Sequence, residues 1–137
     1  MFFKKNKKED EDKNFVKIAS LLIHAAKIDE NFSKTEEKII TEALLKLGAK
    51  NESLESIIKA GKLMEENANQ ILDFTREVKN MDENKKIQII ETLWQIIYSN
   101  KEADMYETNL MRRLAGLLYV DNKTMGDIKE KIKKENS

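Results

Sequence analysis

Apolar residues recur at three- and four-residue steps through most of this chain, the period of a helix with one buried face. Phe15, Ile18, Ala19, Leu22 and Ala26 form such a stripe and predict a first helix from near Lys13 or Asn14. A second helix, over about 34–47, turns Ile39, Ile40, Ala43, Leu44 and Leu47 inward and stops at Gly48, a residue suited to a helix C-cap. A third, from about Glu52, carries Leu54, Ile57, Ile58, Leu63 and Met64, with Gly61 marking a candidate bend. Ile71, Phe74 and Val78 belong to a fourth that ends near Asn80. The fifth runs from Asp82 or Glu83 to Tyr98 with Ile87, Ile90, Trp94 and Ile97 on one stripe, and the sixth covers roughly 105–118. The last carries Met125, Ile128 and Ile132 before a lysine-rich end. No segment alternates with the period of a strand. The pattern predicts an all-α domain of about seven helices.

The pattern also repeats itself. Leu22, Ala25, Ala26, Asp29, Ser33, Glu36, Ile40 and Leu47 fall in register, 71 residues on, with Leu93, Ile96, Ile97, Asn100, Asp104, Glu107, Met111 and Leu118. Each copy reads as helix, acidic turn, helix. Two such hairpins are expected to face each other in one domain, because neither buries its apolar stripe alone.

Composition narrows the function classes. Lysine plus arginine equals aspartate plus glutamate at 25 each, so the cationic excess that displaces counterions from nucleic acid is missing. No cysteine is present, which removes disulfides, zinc–thiolate sites and thiol nucleophiles. No proline interrupts the helices. No apolar run approaches the ~20 residues that span a bilayer, and the N-terminus lacks the apolar core of a signal peptide. The expectation is a cytoplasmic protein. Residues 1–13, with Lys4, Lys5, Lys7 and Lys8 followed by Glu9 to Asp12, read as a flexible charged tail ahead of a helical domain over 14–134. Phe2 and Phe3 beside those lysines offer a weak peripheral membrane contact, too small to anchor the chain alone.

The acidic turns are the candidate chemistry. In the first, Asp29, Asn31, Ser33 and Glu36 supply oxygens at alternating positions; in the second, Glu102, Asp104 and Glu107 do so. Such a turn suits a hard cation, and Ca²⁺, which takes six to eight oxygens in irregular geometry, suits it better than Mg²⁺. The glycine and terminal glutamate of an EF-hand are both missing. A second reading needs no ligand: Ser33-x-x-Glu36 is a capping box and Asp104-x-x-Glu107 its aspartate variant. Both readings stand on the sequence.

Other residues carry less. His24, the single histidine, lies opposite the first stripe with no nucleophile or second ligand beside it. Trp94 and Phe74 are core residues by phase. Tyr98, Tyr106 and Tyr119 flank the second turn, where they line a small groove or cover the hairpin. Arg112 and Arg113 are placed to pair with a turn carboxylate, and Lys129, Lys131, Lys133 and Lys134 complement a helix C-terminus. No phosphate loop, catalytic triad or metal-hydrolase motif is present, and the expectation is a protein without enzymatic activity.

Ala25-Ala26-Lys27-Ile28-Asp29-Glu30 followed by Glu36 resembles the A-x-A-D-G…E turn of the TerB-like helical domains, named after the tellurite-resistance protein. Leu93-Trp94-Gln95-Ile96-Ile97-Tyr98-Ser99-Asn100, with Glu107 and Leu110-Met111-Arg112-Arg113-Leu114-Ala115, resembles the second turn of that family. Phe74-Thr75-Arg76 is similar to its mostly uncharacterised bacterial branch. The resemblance implies an all-helical fold, acidic turns implicated in divalent-cation binding, and a place in stress-response or membrane-associated complexes through protein partners. By position it carries over Asp29, Glu36 and Glu107, with Asn100 in place of the second turn's aspartate. Glu30 and Lys101 stand where the family has glycines. Losing a carboxylate and gaining an ammonium weakens the second turn as a cation site.

Overall fold

The computed structural model describes residues 2–27, 33–67, 72–99 and 105–135, with the backbone alone at 2–12, 72–74, 77 and 105–108. Its helices are α1 (Phe2–Ala26), α2 (Lys34–Lys46), α3 (Leu54–Asn67), α4 (Leu72–Lys79), α5 (Glu83–Tyr98), α6 (Met105–Leu117) and α7 (Asn122–Glu135), with a 3-10 turn at Asn51–Ser53 leading into α3. No strand occurs among the described residues, and no helix there is long and apolar enough to cross a membrane. The fold is all-α.

Two helices organise the core. α1 packs on α2, α3, α4 and α5, and α5 packs in turn on α2 and α7. Their buried faces are correspondingly wide: Ile18, Leu21, Leu22 and Ile23 of α1 meet a core that holds Ile89, Ile90, Leu93, Ile96 and Ile97 of α5. A helix covered on several sides loses the narrow stripe of a surface helix. α6 closes the core with Met111, Leu114 and Leu118, and α7 adds Met125, Ile128 and Ile132.

Two elements, α1 and α3, differ from the pattern-based reading. α1 begins at Phe2 rather than near Lys13. Apolar periodicity marks only where a helix has a buried face, and the charged extension has no glycine or proline to stop the helix. Leu63 is 60% exposed, because the buried stripe of α3 runs through Leu54, Ile57, Ile58 and Gly61 and Leu63 lies two residues, about 200°, off it. α3 runs unbroken through Gly61. The glycine lets α3 lie close against α1: a Cβ there would sit 2.9 Å from Ala19 Cβ. Ser20 reinforces that approach, its hydroxyl bonding to the carbonyl oxygens of Val16 (2.8 Å) and Gly61 (3.1 Å).

α2 and α6 end alike, 71 residues apart. Ala49 N–H donates to Leu44 O and Gly48 N–H to Leu45 O; Val120 N–H donates to Ala115 O and Tyr119 N–H to Gly116 O. Both are Schellman-type ends, which need a residue in the left-handed region. Gly48 fills it at φ 110°, whereas Tyr119 fills it at φ 57°.

Candidate functional site

Local chemistry accounts for the described part of the first acidic turn. Ser33 is extended (φ −82°, ψ 163°) and precedes the first helical residue of α2. Glu36 N–H donates to Ser33 Oγ at 3.1 Å, and Ser33 N–H donates to Glu36 Oε1 at 3.0 Å. This reciprocal pair satisfies two donors that a helix start otherwise leaves open. Glu36 is 1% exposed, so its carboxylate is part of the packing of α2 as well as its cap. Asp29 and Asn31 lie outside the described residues, as do Glu102, Asp104 and Asn100 of the second turn; Glu107 is on α6, its side chain likewise outside. Of the first ligand set the structure thus brings together Ser33 and Glu36. The geometry of this pair is that of a helix cap. Among the described residues no three histidine, aspartate or glutamate side chains gather as metal ligands would.

α5 and α7 start by the same logic. Asp82 Oδ1 accepts from Lys85 N–H at 2.9 Å, and Asp121 Oδ1 from Thr124 N–H at 2.7 Å. The Thr124 backbone N–H, with the Thr124 hydroxyl, holds the Asp121 carboxyl below its ordinary range.

Charged side chains tie helices together. Glu65 of α3 accepts from Lys27 Nζ at 2.8 Å and faces His24 Nδ1 at 3.3 Å, clasping the end of α1 to α3. Burial pushes the Glu65 carboxyl up, but the bonds from Lys27 and His24 outweigh it and hold it below the usual range. The bond to Glu65 raises the Lys27 ammonium. His24 is thus a clasp residue of α1. On the other side, Lys129 Nζ lies 5.4 Å over the Trp94 ring and Lys131 Nζ lies 3.5 Å from Glu91. These two lysines bind α7 to α5, a larger role than complementing a helix end. Trp94 is buried and stacks on Tyr98 with ring centroids 5.9 Å apart. Burial, with Glu130 nearby, pushes the Tyr98 hydroxyl up. Phe74 and Tyr106 have side chains outside the description.

One surface feature is not explained by capping or clasping. Between α4 and the end of α6 lies a groove of about 320 Å³ whose described lining is Thr75, Arg76, Lys79, Gly116, Leu117 and Tyr119. Lys79 Nζ sits 5.3 Å from the centre of the Tyr119 ring, a cation–π distance. Tyr119 is 69% exposed. A non-glycine residue in the left-handed region costs about 1–2 kcal/mol, and this one, mostly exposed, recovers little of that by burial. Among the described residues no carboxylate pairs with Arg76, Arg112 or Arg113. Sequence reasoning set Tyr119 beside the second turn and did not join it to Arg76, which is 43 residues away in the chain. The signal was legible in the repeat: in register with Gly48 the second copy has a tyrosine.

The family described as "Tellurite resistance protein TerB" matches the chain over residues 15–130. That span runs from the first buried turn of α1 to within α7. No curated protein and no solved structure matches the chain. A match over most of the length, on a chain whose described residues are all-helical, makes this protein a member of the TerB family.

Proposed function

We propose that this chain is a non-enzymatic adaptor, which acts by presenting a surface to a partner protein within a stress-response or membrane-associated complex. The observation that supports this reading best is Tyr119. A large aromatic ring stands in solvent at a strained backbone position, where the matching cap of α2 uses glycine. The helix end needs a left-handed residue but not a tyrosine; strain kept where glycine would relieve it points to a binding role, and exposed tyrosine beside arginine is a common anchor of protein interfaces.

A tagged full-length chain, isolated at natural abundance in EDTA, tests this against Tyr119→Ala. The adaptor reading expects a stoichiometric partner that withstands EDTA and is lost with Tyr119→Ala. A chain recovered alone would overturn it.

A second reading rests on one observation, the burial of the Glu36 carboxylate at the foot of the first turn. A buried carboxylate calls for hydrogen-bond donors, a proton or a cation around it. In this reading Asp29, Asn31, Ser33 and Glu36 hold Ca²⁺ or another divalent ion, with Glu102, Asp104 and Glu107 a weaker group. A partner released by EDTA but indifferent to Tyr119→Ala would favour it.

A further inference from the structure

We propose that the groove between α4 and the end of α6 binds a carboxylate-rich peptide segment of the partner protein. This rests on the adaptor reading and names the chemistry of its ligand. Among the described lining residues the charged side chains, Arg76 and Lys79, are both cations. Arg112 and Arg113 are exposed on α6, one turn before Gly116, and extend the same sign of charge along the helix. Elsewhere lysines of this protein find carboxylates on neighbouring helices, as Lys27 does at Glu65, Lys62 at Glu37 and Lys131 at Glu91. Among the described residues the arginines here do not. Arg76 and Lys79 also complement the C-terminal dipole of α4, a role any exposed cation fills.

That role accounts for neither Gly116 nor Tyr119. Gly116 lies within α6, where glycine weakens a helix, and a Cβ built on it meets nothing within 4 Å. No packing contact demands the glycine; Leu45 stands at the matching point of α2. Its effect is to lower the floor of the groove, while Tyr119 forms a raised wall beside it. Two departures from local preference thus meet at one place, as they do at functional sites.

The arrangement selects an acidic chain over a single phosphate. A phosphate cradle gathers donors on one point, most often backbone N–H groups at a helix N-terminus. This groove lies where α4 and α6 both end, and its cations Arg76 and Lys79 stand three residues apart, about 4.5 Å along α4. A run of carboxylates on one chain can meet separate cations one after another, which a single phosphate cannot. Arginine pairs with each through two parallel bonds, and the tyrosine ring packs on the stems between them.

The test is fluorescence polarisation of the full-length chain with a fluorescein-labelled octaglutamate peptide, at low and at physiological salt. Binding is expected to weaken with salt. It should fall about tenfold or more in Arg76→Glu and in Tyr119→Gly, the scale of one charge-assisted contact. Lys59→Glu, an exposed reversal on α3, should leave it within about twofold, the range of a screened surface charge. Tyr119→Gly relieves backbone strain, so a loss of binding there reflects no loss of fold; its melting temperature verifies this. Equal losses in Arg76→Glu and Lys59→Glu would reduce the attraction to net charge and overturn the site. Displacement of the peptide by millimolar inorganic phosphate would overturn the peptide assignment in favour of a phosphate ligand. If octaglutamate does not bind while Tyr119→Ala still strips the partner from cells, the acidic chemistry falls and the adaptor reading stands.

Discussion

Gly61→Ala puts the packing of α1 on α3 to a quantitative test. A methyl group at position 61 arrives 2.9 Å from Ala19 Cβ, 3.4 Å from Ile23 Cδ1 and 3.4 Å from the Ser20 backbone nitrogen. Carbon atoms pack best at roughly 3.5–4.0 Å. Ile23 can rotate its terminal carbon away, but Ala19 Cβ is fixed to its backbone, so the two helices must move apart. Overpacking of this kind costs about 1–3 kcal/mol. The bond from Ser20 Oγ to Gly61 O, already 3.1 Å long, stretches with the separation and forfeits up to about 1 kcal/mol. Against these stands the helix preference of alanine over glycine, about 1 kcal/mol in favour of the variant. The balance is a loss of between about 0 and 3 kcal/mol, centred on about 1.5, or roughly 5 °C in melting temperature for a chain of this size. Urea unfolding followed by the fluorescence of Trp94, the single tryptophan, measures it. Gly126→Ala on α7 is the control, since a Cβ there meets nothing within 4 Å, and it should gain about 1 kcal/mol. Adding Ala19→Gly to Gly61→Ala moves the methyl group across the interface and should recover part of the loss, a coupling of about 1 kcal/mol or more between neighbours. A Gly61→Ala protein stabilised as much as Gly126→Ala would refute the close approach of the two helices.

Three further predictions follow from other parts of the molecule. Ser33→Ala removes the cap acceptor of α2 and should cost about 1 kcal/mol in urea unfolding; no loss would mean that the reciprocal pair with Glu36 does not form. Glu65→Gln should cost on the order of 1 kcal/mol or less at neutral pH, because Lys27 is partly exposed to solvent. The Glu65 carboxyl is lowered in the folded state, so its contribution is present above its ordinary value of 4.5 and fades as pH falls below that. Lys27 is raised, so its share is present below 10.5 and fades at higher pH. Stability measured from pH 3 to 11 should therefore show wild type and variant converging at both ends, and a constant gap would contradict the clasp. Tyr119→Gly should raise the melting temperature by the strain it relieves, about 1–2 kcal/mol; a lower melting temperature would show the tyrosine to be structural.

The sequence made some of this legible because local signals and burial agree there. Ser33-x-x-Glu36 is a cap in the sequence and in the structure, and the stripes that place Leu22, Ile40, Ile90 and Ile97 inward place them in the core. The start of α1 was not legible, since charged helix and solvated coil share a composition. Leu63 is apolar but out of phase with the buried stripe of α3, and composition alone does not separate the two. The role of Gly61 depends on Ala19 in another helix, and the groove depends on α4 meeting α6. Neither juxtaposition has a signature within any one window. The mismatch of Gly48 and Tyr119 was the trace of the groove that the sequence did carry.

The account turns on Tyr119 as the point where the protein meets its partner. A photocrosslinking residue at position 119 of the full-length chain, activated in the native cell, tests that directly, with the same residue at position 59 on α3 as the comparison. The account predicts a discrete adduct with one protein from position 119 and none from 59. No adduct from 119, or the same adducts from both positions, would contradict it.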